Sequence, residues 1–413
     1  MGNRVKQSSN WILVTIWLLV LGYWRFVLNI CILTSSFPSH PGDVVQAPFL
    51  FDFIGSLRKR GHRAFVFTQE REGSPMDSFE GVRVQRFSWM GSKKALVHLN
   101  PLNPLDLLRI GSLLYRGRKA VHTFVKENAI DACLALWVLP SGYFANRIYR
   151  QTGIPYSVWA LGSDIYRYGR NPFLCRVMKR IIRDATGVFA DGFDLARRVE
   201  KRFKKKCFFL ATTRTIPFPS PPLREDSEGS RDKTYRFLFV GRLEKVKGID
   251  VLLQSMELLA EQKLDASLAV VGRGRMEGWA ANFINQRNLR ERISLLGSVS
   301  NQALACVYAS SDCVVIPSRS ESIPLVFSEA LEFDKEMVVT DVGDMGMLAR
   351  QYGVARVVPP DDPLALMGVM REKIESSGRE KPEDAENRRR ELKRLFDIEA
   401  SVDRFLADYK QPG

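Results

Sequence analysis

The residues best suited to chemistry in this 413-residue chain are two cations and two carboxylates in its second half. An apolar run at 237–240 ends in Gly241-Arg242-Leu243-Glu244-Lys245-Val246-Lys247-Gly248. Glycines flank Arg242 and Lys247 where a strand gives way to a helix, so backbone can approach an anion closely. A guanidinium grips such a group through a planar fork, and a lysine adds a mobile point charge. A second apolar run, 312–316, leads into Pro317-Ser318-Arg319-Ser320-Glu321, then Ser322-Ile323-Pro324-Leu325 and a helix carrying Glu329. Pro324 suits the first turn of that helix, where a missing N–H costs nothing. Free N–H groups there can hold phosphate or sugar oxygens, and the two carboxylates can accept from hydroxyls along one elongated ligand, a ribose diol included. Taken singly, each segment also fits a solvated turn or helix face. Placement after a buried strand and beside a helix start favours binding.

The elements that must hold these groups are legible as alternating patterns. Short β-rich apolar runs predict strands at 28–35, 64–68, 82–87, 131–137, 156–160 and 187–190. They recur at 236–240, 267–271, 292–296, 312–316, 337–340 and 355–358, with helical patterns between them. Runs apolar at nearly every position imply strands covered on both faces, hence an α/β fold with parallel sheets between helices. The stretch 217–234, rich in Pro, Ser and charge and without periodicity, reads as a linker. The expected organisation is an apolar N-terminal segment (1–25), a first Rossmann-like domain (26–216), the linker (217–234) and a second Rossmann-like domain (235–395). A C-terminal helix (396–413) is expected to pack back toward the first domain. Two doubly wound domains joined this way face each other across a cleft at the carboxyl ends of their strands, where such folds bind ligands.

Composition narrows the partners. A formal charge of +15 points to an anionic one: nucleic acid, a membrane surface or a phosphorylated substrate. No nucleic-acid module is present and aromatics do not interleave with the charges, so nucleic acid is not expected. From Arg167 to Lys206 there are 13 Lys/Arg against 4 Asp/Glu. Within 171–206, Asn171-Pro172 starts a helix with one apolar and one basic side (Arg176, Lys179, Arg180, Arg183), which fits either an anionic lipid surface or an ordinary solvated helix. The six cysteines are scattered without a CxxC pair and read as reduced residues of a cytosol-facing protein. Residues 11–24 are almost wholly apolar but too few to span a bilayer comfortably. An anchor or a spurious extension fits residues 1–25 better than a signal peptide, because no small-residue cleavage site follows. The expected location is cytoplasmic, peripheral or weakly anchored at the inner face of the cell membrane.

The motifs G-R-L-x3-K-G (241–248), V-V-G-R-G (270–274), L-L-G-S-V-S (295–300), Y-A-S-S-D-C-V-V-I-P-S (308–318) and E-S-I-P-L-V-F-S-E-A-L (321–331) occur in that order. Together they make the chain resemble the family 4 retaining glycosyltransferases, a group 1 family of GT-B fold, over most of 235–360. The resemblance implies that Arg242 and Lys247 bind the diphosphate of a UDP- or GDP-sugar donor and that Glu321 contacts the transferred hexose. Glu329 would hold the ribose, with Gly241, Gly272, Gly274, Val299, Ile323, Pro324 and Leu325 lining the donor. The implied acceptor is a glycan or a lipid-linked molecule of surface polysaccharide synthesis. No D-x-D occurs in the chain, so neither a metal nor another cofactor is expected. Fixed cations and a helix N-terminus can stabilise charge growing on the departing diphosphate.

In the first half, Gly42 falls in a loop resembling the family's phosphate-facing glycine loop, and His40 nearby is either an acceptor contact or an exposed loop histidine. Many relatives carry a histidine where this chain has Leu161. Gly162, Ser163 and Asp164 are therefore expected as acceptor-side shape and polar contacts. Gly272-Arg273-Gly274 is not a dinucleotide fingerprint, because its spacing and its place in the second domain are wrong. Two alternatives stay open. One is a sugar-nucleotide epimerase of the same fold, and the other a catalytically silent relative that binds glycan or partners.

Overall fold

The computed structural model describes residues 27–38, 47–71, 78–79, 81–92, 96, 99–100, 103–218, 234–376 and 383–409. The apolar segment 1–25, His40, Gly42 and most of the linker lie outside them.

The first half contains β1 (Asn29–Leu33), α1 (Phe49–Lys59), β2 (Arg63–Gln69), β3 (Ser78–Phe79), β4 (Val82–Phe87), α2 (Pro104–Glu127), β5 (Ala132–Leu136) and α3 (Ser141–Thr152). It continues with β6 (Tyr156–Ala160), α4 (Ser163–Arg167), α5 (Pro172–Asp184), β7 (Val188–Ala190), α6 (Phe193–Phe203) and β8 (Phe208–Phe209). In the second half come β9 (Tyr235–Val240), α7 (Ile249–Glu261), β10 (Ala266–Val271), α8 (Glu277–Gln286), β11 (Ile293–Gly297), α9 (Asn301–Ser310) and β12 (Cys313–Ile316). The remaining elements are α10 (Leu325–Glu332), β13 (Glu336–Thr340), α11 (Met345–Tyr352), β14 (Arg356–Val358), α12 (Pro363–Glu375), α13 (Glu383–Leu395) and α14 (Ile398–Ala407). Each of the twelve expected strands coincides with one of these to within two residues. β3 and β8 have two residues each and no periodicity to read.

The strands form two sheets, ordered β3-β4-β2-β1-β5-β6-β7-β8 and β11-β10-β9-β12-β13-β14. Every pairing is parallel except the β3–β4 edge. Both sheets reverse strand order once, between β1 and β5 and between β9 and β12. Such a switch point opens a crevice beyond the carboxyl ends of the two strands, because their crossover helices lie on opposite faces. Buried β5, β6 and β12 account for the continuous apolar runs in the sequence.

The last helix returns to the first sheet. Val402, Phe405 and Leu406 of α14 are fully buried with Phe53 of α1 and Trp159 of β6, each contributing about 1.5–3 kcal/mol. Arg60, which caps the C-terminus of α1, pairs with Glu399 and, at 2.7 Å, with Asp403. Those acids hold its guanidinium above its ordinary pKa, Asp403 most strongly. Among the described residues no helix is long and apolar enough to cross a membrane.

Candidate active site

A cavity of about 650 Å³ lies between the sheets. Its walls are the loops that leave the two switch points: 35–36 and 47–49 after β1, Trp137–Pro140 after β5, 241–247 after β9 and 323–326 after β12.

On the second-sheet side, the turn after β9 is fixed from two directions. Arg319 forks onto Asp250 at 2.7 and 2.9 Å and also donates to the carbonyl of Lys245. The turn after β10 closes against it, with Leu243 N–H donating to Arg273 O at 2.9 Å. A Cβ at Gly272 would fall 1.9 Å from Gly241 O, so only glycine permits this approach. Arg242 and Lys247 both face the cavity from this frame. Arg242 is exposed and has no side-chain partner among the described residues. Lys247 is in close ionic contact with Glu321, whose Oε1 also accepts from Ser318 Oγ at 3.1 Å. Glu321 does not itself line the cavity. It holds Lys247 in place from behind.

Glu329, one turn into α10, lines the cavity and is 3% exposed. Its Oε2 accepts from Tyr308 Oη at 2.7 Å, and Arg214 Nη2 lies 2.6 Å from Oε1. Gly241, Gly272, Val299, Ile323, Pro324 and Leu325 also reach the wall, whereas Gly274 packs behind it, where a Cβ would stand 2.3 Å from Leu243 O.

The first-sheet side is largely apolar. Phe49, Trp89, Leu96, Trp137, Leu139 and Leu161 line it, with Gln69 and Arg71 as polar exceptions. Ser163 lines the cavity, whereas Gly162 and Asp164 do not. Asp164 is fully buried and ties α4 to the turn after β5 through a 2.6 Å bond from Val138 N–H to Oδ2; among the described residues its Oδ1 has no partner. Burial pushes its pKa up to about 6 against the pull of the Val138 and Ile165 amides. Asp191, directly after β7, lines the cavity with an enclosed and unpaired Oδ1. Burial pushes it up to about 7, and the charges of Asp164 and Glu321 add to that rise while the Ser322 hydroxyl opposes it.

The two sides meet at the start of α6. No side chain of its own caps that helix. Instead Asp344, from the loop after β13, accepts the Asp194 N–H with both carboxylate oxygens at 3.0 Å. Gly192 fits beneath because it has no Cβ: one would stand 2.1 Å from Ser322 Oγ and 2.6 Å from Asp344 Oδ2.

Thus Arg242, Lys247, Glu329 and Ser163 share one cavity, with Glu321 directly behind Lys247. Sequence reasoning missed Arg214, Asp191 and Asp344. Asp191 carried a signal, an acid at the carboxyl end of a buried strand. Arg214 and Asp344 carried none, since their partners lie far away in the chain.

The second half matches the family model for group 1 glycosyl transferases over residues 223–392. An uncharacterised glycosyltransferase of Methanocaldococcus jannaschii is 32% identical over 257 residues, which are 62% of this chain and 68% of that protein. Against two further curated glycosyltransferases the chain spans 30% and 32% of their length. Sucrose-phosphate synthase from Thermosynechococcus elongatus superimposes with a TM-score of 0.69 at 17% identity, covering 93% of this chain and 98% of that one. The Anabaena protein HepE, solved in complex with UDP-glucose, gives 0.67 at 15% identity over 92% and 99%. At such low identity these likenesses establish the two-sheet GT-B fold. With the fold on one side and the sequence relatives on the other, the chain belongs to the group 1 glycosyltransferase family.

Proposed function

We propose that this protein is a retaining glycosyltransferase that moves a hexose from a UDP- or GDP-sugar to a glycan or lipid-linked acceptor, without a divalent metal. The observation that carries the reading is the pair Arg242 and Lys247 on one cavity wall, at the carboxyl end of β9, with Glu329 on the same cavity. Their chemistry suits a nucleoside diphosphate, with cations for the phosphates and a carboxylate for ribose hydroxyls. HepE, of the same fold, was solved with UDP-glucose. As the donor's glycosidic bond breaks, negative charge grows on the leaving diphosphate, and fixed cations stabilise it there. Glu321 stands behind Lys247, and a donor phosphate that drew the ammonium away would leave its carboxylate free to accept from the sugar's hydroxyls. It is not a glycosidase acid, and the acceptor's proton would go to the leaving phosphate.

The apolar first-sheet wall fits a lipid-linked or otherwise amphipathic acceptor. A peripheral location at an anionic membrane fits the outer side of α5, where Arg176, Lys179, Arg180 and Arg183 are exposed beside a protruding Phe173. A second reading, a silent glycan-binding relative, is favoured by Leu161, which puts an apolar group on the cavity wall.

The test is turnover or slow hydrolysis across a panel of nucleotide sugars, with and without chelator. Activity that survives chelation and is lost in Lys247→Ala and Glu329→Ala supports the transferase. Equal turnover in both variants rejects it, and binding without turnover supports the silent relative. Sedimentation with anionic vesicles tests the membrane surface separately.

A further inference from the structure

Arg214 lies on the segment by which the chain leaves the first sheet for the second. Leu210, just past β8, accepts from Trp159 Nε1 at 3.1 Å, while Ala211 and Ile216 sink into the core of the second half. Thr213 Oγ1 donates to Phe396 O at 2.8 Å, and Thr215 N–H donates to Asp52 of α1 at 2.9 Å. Backbone on both sides of Arg214 is therefore pinned, one residue away in each direction. Its guanidinium, 6% exposed, faces the equally buried Glu329 and lines the cavity with it.

The pair is incompletely satisfied. Nη2 is 2.6 Å from Oε1 but outside hydrogen-bond alignment, so among the described residues Oε1 accepts no hydrogen bond and Arg214 Nε has no acceptor. Tyr308 has already fixed Oε2. A buried ion pair with unspent hydrogen-bonding capacity is costly where it serves packing alone, since apolar residues of similar volume do that better. On a cavity wall the same arrangement is a site short of its ligand's hydroxyls.

We infer that Arg214 is a positioning residue: it keeps Glu329 turned so that the carboxylate can accept from the ribose diol of the donor nucleotide. The inference rests on the nucleotide-sugar reading and deepens it. The diphosphate is left to Arg242 and Lys247, so the two ends of the donor depend on separate cations.

Calorimetric titration separates them. The probes are whichever of UDP, GDP and ADP the wild-type chain binds most tightly, the 2′,3′-dideoxy form of that nucleotide, and inorganic pyrophosphate. Arg214→Gln is expected to weaken the ribonucleotide about tenfold or more, as expected for losing a charge-assisted hydrogen bond. Pyrophosphate should hold within about twofold, and the ribo-to-dideoxy affinity ratio should fall toward one. Arg214→Lys should restore part of that ratio. An unchanged ratio, equal losses for pyrophosphate, or tighter ribonucleotide binding would each overturn the inference. If Arg214→Gln does not fold, Arg214→Lys carries the comparison alone, with a reduced ratio in support and a wild-type ratio against. A wild-type chain that binds pyrophosphate but no nucleoside diphosphate defeats the nucleotide-sugar reading itself, and the inference with it.

Discussion

The two walls of the cavity treat their carboxylates in opposite ways. On the second-sheet side three acids face cations: Glu321 has Lys247, Glu329 has Arg214 and Asp250 has Arg319. On the first-sheet side Asp164 and Asp191 each keep an enclosed oxygen without a partner, and burial raises both. The paired acids hold their cations in place. Burial favours the protonated form of Asp191 on the cavity wall, which spares an anionic ligand part of the repulsion of a carboxylate there. The contrast is thus between a wall that stores charge and a wall that suppresses it.

The sharpest way to break this comparison is to remove stored charge. Lys247→Ala should lower kcat by about 10²–10³-fold, the usual consequence of losing a fixed group that stabilises transition-state charge. Steady-state turnover of a nucleotide sugar checks it, and a loss confined to KM would count against it. Next comes the suppressed side. The folded-state pKa of Asp191, about 7, is above that of an unfolded aspartate. The folded chain therefore holds an extra proton across that window, and stability falls as pH rises from about 4 to 7 before levelling off. Asp191→Asn removes this loss and should stabilise the protein by roughly 2–4 kcal/mol at pH 8, with little gain near pH 4. Urea unfolding at both pH values decides it, and a gain of equal size at both would reject a titrating Asp191.

Smaller effects are expected where the walls touch. Gly192→Ala should destabilise by about 1–3 kcal/mol through overpacking against Ser322 and Asp344. Adding Ser322→Gly should recover most of that loss, and failure to recover would mean that the crowding lies elsewhere. The smallest change is expected at Glu277, whose pair with Arg273 is solvent-exposed. Glu277→Ala should shift stability by no more than about 0.5 kcal/mol, as for other exposed i,i+4 pairs. A larger shift would mean that exposed pairs of the charge-storing wall are as consequential as enclosed ones.

Much of the charge-storing wall was legible in the sequence, and little of the other. Arg242, Lys247 and Glu329 follow buried strands within a few residues, so strand, turn and charge are all local. The twelve longer strands were readable for the same reason, since burial on both faces writes itself into continuous apolar runs such as Cys313–Ile316. Arg214 acquires its meaning only when residue 329 arrives beside it, and Asp344 only when α6 begins where its carboxylate points. No periodicity encodes such meetings. Gly274 shows the converse limit: its glycine is explained by the carbonyl of Leu243 as fully as by any ligand.

The carboxylate of Asp344 on α6 has a spectroscopic consequence. The Asp194 amide sits in the first turn of that helix, where no intrahelical acceptor exists for it. Among the described residues its acceptor is Asp344, on the other side of the cleft. Deuterium uptake at this one amide should therefore gauge how often the two sheets part, slowing when a ligand draws them together and quickening when they separate.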